Sequence, residues 1–158
     1  MKKIISLGVA GTATAAALLA TGSTAHASSW SGGGCRSDTA GWAYIAAGVY
    51  LNPCIYMSST SGGGQTNWNI GGSTASVGPS GLGIDPCIQL LAVSGTTTWQ
   101  VADGGCGGWQ SASNATFSAK LRGLVPGTYV VQTGFWATID GHYGYYGAAQ
   151  SPRLTITS

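Results

Sequence analysis

The amino-acid sequence predicts an all-β fold, an antiparallel β-sandwich of about eight strands held by two disulfides. Near the C-terminus, Phe117, Ala119 and Leu121 alternate with polar residues, which is typical of a half-buried strand. The chain has 27 glycines and no glutamate, and its polar positions are mostly Gly, Ser and Thr, which are poor helix formers. Its four cysteines form two equally spaced pairs, as expected for local cross-links.

The first 38 residues divide into two segments. Residues 1–27 begin with lysines, continue with an apolar run and end in Ala-His-Ala, which predicts a secretory signal peptide cleaved after Ala27. Residues 28–38 are rich in Gly and Ser and contain Trp30, which predicts a flexible N-terminal arm: either a frayed terminus or an arm that docks on a partner through Trp30. Residues 39–158 then form one domain. The expected location is extracellular, with no membrane attachment after cleavage.

Strand-like segments and turn signals alternate through this domain. Residues 41–51 indicate one strand, with a helix as the alternative through Ala46-Ala47. Further strands are predicted at 54–57, 66–70, 85–90, 97–101 and 116–122, with two more flanking an aromatic tip at 140–147. The segments between them, 58–65, 71–83 and 103–108, are predicted loops because they are polar or rich in glycine. Two Pro-Cys-Ile segments, each followed by a loop and a tryptophan-bearing strand, suggest two facing sheets with similarly placed disulfides.

The cysteines are expected to be oxidised. Cys35, Cys54, Cys87 and Cys106 all follow the signal peptide, and exported proteins commonly carry disulfides. Three connectivities are possible, and the equal spacing of nineteen residues favours Cys35–Cys54 and Cys87–Cys106. No Cys-x-x-Cys pair is present, so the sequence indicates neither a metal site nor a cofactor.

A short segment near the C-terminus indicates which kind of β-sandwich the chain forms. Leu-Val-Pro-Gly-Thr-Tyr at 124–129 resembles the corner of immunoglobulin-like domains. In that corner, a turn precedes a strand whose tyrosine hydroxyl bonds back to the turn. The resemblance implies an immunoglobulin-like sandwich.

The charge balance excludes two classes of ligand. After residue 27, four basic residues stand against four acidic ones, so the formal net charge is zero. Four scattered cations cannot neutralise a run of phosphates, so no nucleic-acid partner is expected. A basic membrane-binding face is missing for the same reason.

The titratable residues predict that the protein is not an enzyme. The four aspartates stand beside Gly, Pro, Thr or Ser in turn-like contexts, so we expect no pair of catalytic carboxylates. His142 is the one histidine after the signal peptide, and no Gly-x-Ser-x-Gly motif is present. We therefore interpret His142 as a binding contact rather than a catalytic base.

The aromatic tip is the strongest candidate binding surface. His142, Tyr143, Tyr145 and Tyr146 are interleaved with glycines. Tyrosine among small residues supplies rigid, amphipathic contact area, as in antibody loops. Such rings can stack on sugars or on a protein face. The alternative is that the tyrosines fold back over the end of the sandwich.

Three functions therefore remain. The first is a secreted, non-enzymatic adaptor that binds a co-secreted protein through the Trp30 arm and the aromatic tip. The second is a free-standing, lectin-like protein that binds a glycan. The third is a protease inhibitor or antimicrobial protein that presents a disulfide-linked loop such as 104–108.

The first of these has a parallel among known proteins. The two-lysine leader, the Gly/Ser segment before Cys35 and the four-cysteine domain resemble small secreted proteins of actinobacteria, and among these the adaptor subunit of umbrella toxin particles. The resemblance implies that an N-terminal segment inserts into a trypsin-like, lectin-bearing partner while the domain holds a large scaffold subunit. Trp30 and its neighbours would then carry the insertion.

Overall fold

The structure, a computed structural model, describes residues 29–62, 65–122 and 125–157, and within them all side chains except those of 59–68 and 121–124. The predicted signal peptide at 1–27 lies outside these residues. The described chain is all-β, with thirteen strands and one short 3₁₀ turn at Arg36–Asp38. The strands are β1 (Ser29–Gly32), β2 (Gly34–Cys35), β3 (Ala43–Ala46), β4 (Val49–Leu51), β5 (Cys54–Gly62), β6 (Gln65–Val77), β7 (Gly83–Ser94), β8 (Thr97–Cys106), β9 (Gln110–Ser111), β10 (Thr116–Arg122), β11 (Gly127–Ile139), β12 (His142–Gln150) and β13 (Leu154–Thr157).

These strands form two antiparallel sheets. The first sheet has the order β1-β13-β11-β7-β8, with β12 also pairing with β11 and β9 with β7. The second has the order β2-β5-β6-β4-β3, with β10 pairing with the other side of β6. The chain passes from one sheet to the other after β1, β6, β9 and β10. The sandwich prediction is confirmed.

The predicted corner is present where the chain enters β11. The Tyr129 hydroxyl donates a hydrogen bond of 2.7 Å to the carbonyl oxygen of Val125, four residues upstream. Pro126 lies in a bend and β11 begins at Gly127, so the turn and the strand have the predicted order. This bond fixes the path of the chain from the second sheet into the centre of the first.

The space between the sheets is filled by alternating, inward-facing residues. One cluster joins Ile55 and Ile70 of the second sheet to Ile88, Leu90 and Val131 of the first, all fully buried. A second cluster, at the other end, contains Val49, Leu51, Ile84, Ala112, Ala115, Phe135, Ala137 and Ala149. Because β7 and β11 contribute to both clusters, they are the strands around which the molecule is built.

Both predicted disulfides are confirmed, and each lies within one sheet. Cys35 on β2 is the direct cross-strand partner of Cys54 on β5. Cys87 on β7 is the direct partner of Cys106 on β8. The idea of two facing sheets with similarly placed disulfides is therefore correct.

Several predicted boundaries are wrong. Residues 41–51 form a hairpin of β3 and β4 rather than one strand, because Ala47 and Gly48 take positive φ values of 49° and 77° and reverse the chain. The polar segment 58–65 and the glycine-rich segments 71–83 and 103–108 are largely strand, in the described parts of β5, β6, β7 and β8. These longer and additional strands raise the count from about eight to thirteen.

The N-terminal arm is also different from the prediction. Ser29–Gly32 is an edge strand of the first sheet, with Trp30 opposite Ile156 of β13, and Gly34–Cys35 pairs with β5. The backbone hydrogen bonds that a free arm would give to water are made here within the sheets. The sandwich therefore begins at Ser29 rather than at residue 39. Among the described residues, no helix has the length and apolar character needed to cross a membrane.

Candidate functional site

The most distinctive surface is a group of four aromatic side chains on the outer face of the first sheet. We call it the aromatic platform; it consists of Trp109, Trp136, Tyr143 and Tyr145. Trp136 lies on β11 between Phe135 and Ala137, both of which are buried in the core, so alternation along the strand directs its ring outward.

A two-residue turn brings the tyrosines beside Trp136. Asp140 and Gly141 connect β11 to β12 with φ values of 50° and 78°, and positive φ at both central residues is what a type I′ hairpin turn requires. The resulting register places Tyr145 opposite Trp136 and Tyr143 opposite Thr138. Alternation on β12 then puts Tyr143 and Tyr145 on the same outer face.

The four rings form one continuous surface. The Trp136 ring lies 5.3 Å from that of Tyr143, with 18° between their planes, and 5.5 Å from that of Tyr145, with 64° between their planes. Trp109 adds a tilted contact, with its ring centroid 6.4 Å from that of Tyr143. The exposed fractions are 58% for Trp109, 65% for Tyr143 and 38% for Tyr145. The rings thus pack on one another and still face solvent.

A glycine in the sheet gives the Tyr145 ring room to lie close to the backbone, whereas a side chain at Gly83 would meet the Trp109 ring at an ordinary contact distance. A Cβ added at Gly134 would lie 2.5 Å from the Tyr145 hydroxyl oxygen. One added at Gly83 would meet the Trp109 ring at 3.6 Å. A larger residue at Gly134 would displace the Tyr145 ring.

Carboxylates adjoin the platform and support it. Asp85 lies opposite Trp136 in the β7–β11 register, and its Oδ1 accepts a 2.7 Å hydrogen bond from the backbone N–H of Gly108. This bond fixes the residue that immediately precedes Trp109. Burial raises the pKa of Tyr145, and the negative charge of Asp103 raises it further. The Tyr145 hydroxyl is therefore neutral at physiological pH and able to donate a hydrogen bond.

Of the five predicted binding residues, only Tyr143 and Tyr145 belong to the platform. Tyr146 points inward: its ring stacks on Phe135 at 5.9 Å, and its hydroxyl donates a 3.1 Å hydrogen bond to the carbonyl oxygen of His142. For Tyr146 the alternative of a ring folded over the end of the core is thus the correct one.

Trp30 and His142 are not part of the platform. His142 is exposed at the start of β12. Trp30 is half exposed on β1, beside the strand that pairs with the first residues of β11. Nine residues of strand separate Gly127 from Trp136, a distance of about 30 Å at the usual rise. A partner that contacts both Trp30 and the platform must therefore span most of the first sheet.

Sequence reasoning missed Trp109 and Trp136. Asp140-Gly141 is a strong hairpin signal, and counting outward from it would have paired Trp136 with Tyr145. No comparable signal exists for Trp109, because it is brought to the platform by the connection from β8 to β9, which follows the Cys87–Cys106 disulfide.

Groups with catalytic or metal-binding potential are sparse in the described part of the chain. The His142 imidazole makes no hydrogen bond to another described residue. Asp85, Cys87 and Cys106 form one group with metal-ligand spacing, but its two sulfurs are joined in a disulfide and offer no thiolate. No protein-family model matches the chain, and comparison with curated proteins gives no significant match.

Proposed function

We propose that the chain is an exported, non-enzymatic recognition protein of the adaptor type, which binds a co-exported protein through the aromatic platform. The observation that carries this proposal is the continuous surface of four aromatic rings on the outer face of the first sheet, three of them exposed and that of Trp136 half-buried. Contiguous apolar patches on soluble domains commonly mark interaction sites. Trp and Tyr are also the residues that contribute most binding energy at protein interfaces.

The platform has the rigidity that a recognition surface needs. The Trp136 ring contacts two tyrosine rings, and the bond from Gly108 to Asp85 fixes the backbone next to Trp109. Docking on rings that are already ordered costs less side-chain entropy than docking on rings that must first become ordered. Because the domain has no net charge after residue 27, attraction would depend on shape and ring contacts rather than on long-range steering.

The N-terminal segment has a secondary place in this proposal. Insertion of Ser29–Gly32 into a partner, as the umbrella-toxin resemblance implies, would require β1 to leave β13. The platform requires no such rearrangement. We therefore assign the principal contact to the platform and leave Trp30 as a second contact for partners that span the sheet.

A carbohydrate ligand is the second candidate, and one feature favours it. The Trp136 and Tyr143 rings are nearly parallel, with 18° between their planes, and the amides of Gln132 and Gln150 are hydrogen-bonded to each other on the same two strands. The C–H faces of a sugar can pack on aromatic rings while its hydroxyls bond to amides. A lectin-like role would use the same residues.

Affinity capture with matched variants tests both candidates. The bait is the full exported domain, immobilised and exposed to culture supernatant of the native host, and the captured proteins are quantified by mass spectrometry. The platform variant carries Trp136→Ser and Tyr143→Ser. The control carries Tyr50→Ser and Trp99→Ser, which removes two exposed rings that lie outside the platform.

The expected result is one or a few co-exported proteins captured by the wild type and by the control but not by the platform variant. Capture of the same proteins by all three baits would contradict an adaptor that binds through the platform. Retardation of the wild type and control in gels containing a polysaccharide, with no protein captured, would replace the adaptor by the carbohydrate-binding candidate. Circular dichroism of each bait verifies that it is folded.

A further inference from the structure

A separate cleft lies at the edge of the sandwich, away from the platform face. It has a volume of about 390 Å³ and lies between β3 of the second sheet and β12 of the first. Its walls are mainly alanines and Ile45, and its polar lining residues are Arg36, Tyr44 and Gln150. This volume is within the range of about 300–1,000 Å³ that is usual for small-ligand sites.

Arg36 is fixed at this cleft but its side chain is not satisfied. Its backbone N–H donates to the Pro53 carbonyl oxygen at 2.9 Å, and its own carbonyl oxygen accepts from Ala40 at 2.8 Å. The guanidinium Nε is buried and has no hydrogen-bond partner among the described residues. The nearby carboxylate of Asp38 is occupied by the backbone N–H of Cys35 and the hydroxyl of Ser37.

The Nε is closed to solvent in this arrangement, so an anion in the cleft would reach the guanidinium after a rotation of the side chain, which breaks no hydrogen bond of Nε. Leaving such a donor without an acceptor costs about 1–3 kcal/mol or more, and native structures usually satisfy it with protein, water or a ligand. The planar guanidinium matches a carboxylate with two parallel hydrogen bonds. No carboxylate lines the cleft, and the alanine and Ile45 side chains beside Arg36 leave room for a small apolar group next to a bound carboxylate.

Two open strand edges flank the cleft. Among the described strands, β3 pairs only with β4, and β12 pairs only with β11. The free backbone groups of such edges can pair with an extended peptide. We propose that the cleft binds the C-terminal end of a peptide, with the terminal carboxylate on the Arg36 guanidinium and the apolar terminal side chain against Ile45.

The test compares two probes that differ only at the terminal group: acetyl-Ala-Val as the free acid and as the carboxamide. Binding to the full exported domain is followed through the Nε–H resonance of Arg36 in ¹⁵N-edited NMR spectra. The free acid is expected to shift this resonance in a saturable manner and to bind at least about tenfold more tightly than the amide. Equal affinities, or an unchanged Nε–H resonance, would overturn the proposal.

Variants and a second acid make the result specific. Arg36→Gln is expected to reduce affinity for the free acid at least about tenfold, and Arg36→Lys to restore part of it. Arg153→Gln is the control, because Arg153 donates to the Gly95 carbonyl oxygen elsewhere on the surface and should not affect binding. If isovalerate binds as tightly as the peptide acid, the peptide part of the proposal is wrong. The wild-type comparison of acid and amide remains decisive even if an Arg36 variant folds poorly.

Discussion

Replacing Trp136 by alanine is the most direct test of the platform geometry. Its ring makes two aromatic contacts, at 5.3 Å with Tyr143 and at 5.5 Å with Tyr145. Aromatic pairs contribute about 0.5–1.5 kcal/mol each beyond area burial, so losing two destabilises the domain by about 2 kcal/mol. Because the ring faces outward, its removal opens the surface rather than a closed cavity, and the cost stays below that of a core tryptophan.

The measurement is thermal unfolding followed by circular dichroism. A loss of about 2 kcal/mol corresponds to a decrease in Tm of about 7 °C for a domain of this size. Near-ultraviolet circular dichroism should also lose intensity, because the variant lacks the Trp136 ring that packs on Tyr143. With a captured partner in hand, the same variant should bind at least about 30-fold more weakly, as expected for a hot-spot residue.

Trp99→Ala supplies the control for this prediction. Trp99 is half exposed on β8 and makes no ring contact with another described residue. Its replacement should change Tm by no more than about 2 °C, as is usual for surface positions. If Trp136→Ala is no more destabilising than Trp99→Ala, the rings are not packed as described, and the argument from a rigid platform fails.

Three further predictions concern the scaffold. Tyr129→Phe removes the hydrogen bond to Val125 and should lower the free energy of unfolding in urea by about 1 kcal/mol. Burial raises the pKa of Tyr129 above the ordinary 10.0, so the folded state holds this proton more tightly than the unfolded state. The stability of the wild type should therefore be retained below pH 10 and decline as the pH rises above it, and the stability of the variant should decline less. Replacing Cys87 and Cys106 by alanine opens a loop of 19 residues and should cost about 3 kcal/mol, and an unchanged Tm would contradict it. Ala47→Gly should stabilise the protein by about 1 kcal/mol, because Ala47 has a φ of 49°, and a lower Tm would show that this turn is not strained.

Sequence reasoning succeeded where local chemistry determines the outcome. The alternation around Phe117 identified β10 with its observed ends, and the resemblance of residues 124–129 to the immunoglobulin-like corner implied the bond of Tyr129. Equal spacing selected the correct disulfide pairing because each pair joins directly opposed residues of neighbouring strands.

It failed where glycine has a packing role rather than a turn role. Gly71 and Gly72 were expected in a loop, yet both lie inside β6. A Cβ on Gly71 would lie 2.1 Å from Cε2 of Tyr56, and one on Gly72 would lie 2.6 Å from Cγ2 of Val131. These glycines allow a ring to lie on one face of the sheet and the opposite sheet to approach the other. The partners are distant in sequence, so composition alone cannot distinguish such a strand from a loop.

The two halves of the platform are held in place by different contacts. The effect of ring position on binding can therefore be tested without removing any exposed ring. Trp136 and the two tyrosines are placed by one hairpin, whereas Trp109 is placed by the connection from β8 to β9 and by the bond from Gly108 to Asp85. If ring position matters for binding, removing the hydrogen bond between Gly108 and Asp85 should weaken partner capture although no ring is removed. Asp85→Ala makes this change, because it deletes the acceptor and leaves the core intact. We expect capture to fall about three- to tenfold with little change in Tm, since one hydrogen bond at an exposed site contributes about 0.5–1.5 kcal/mol. Unchanged capture would mean that Trp109 is outside the contact, and the binding surface would then be the hairpin alone.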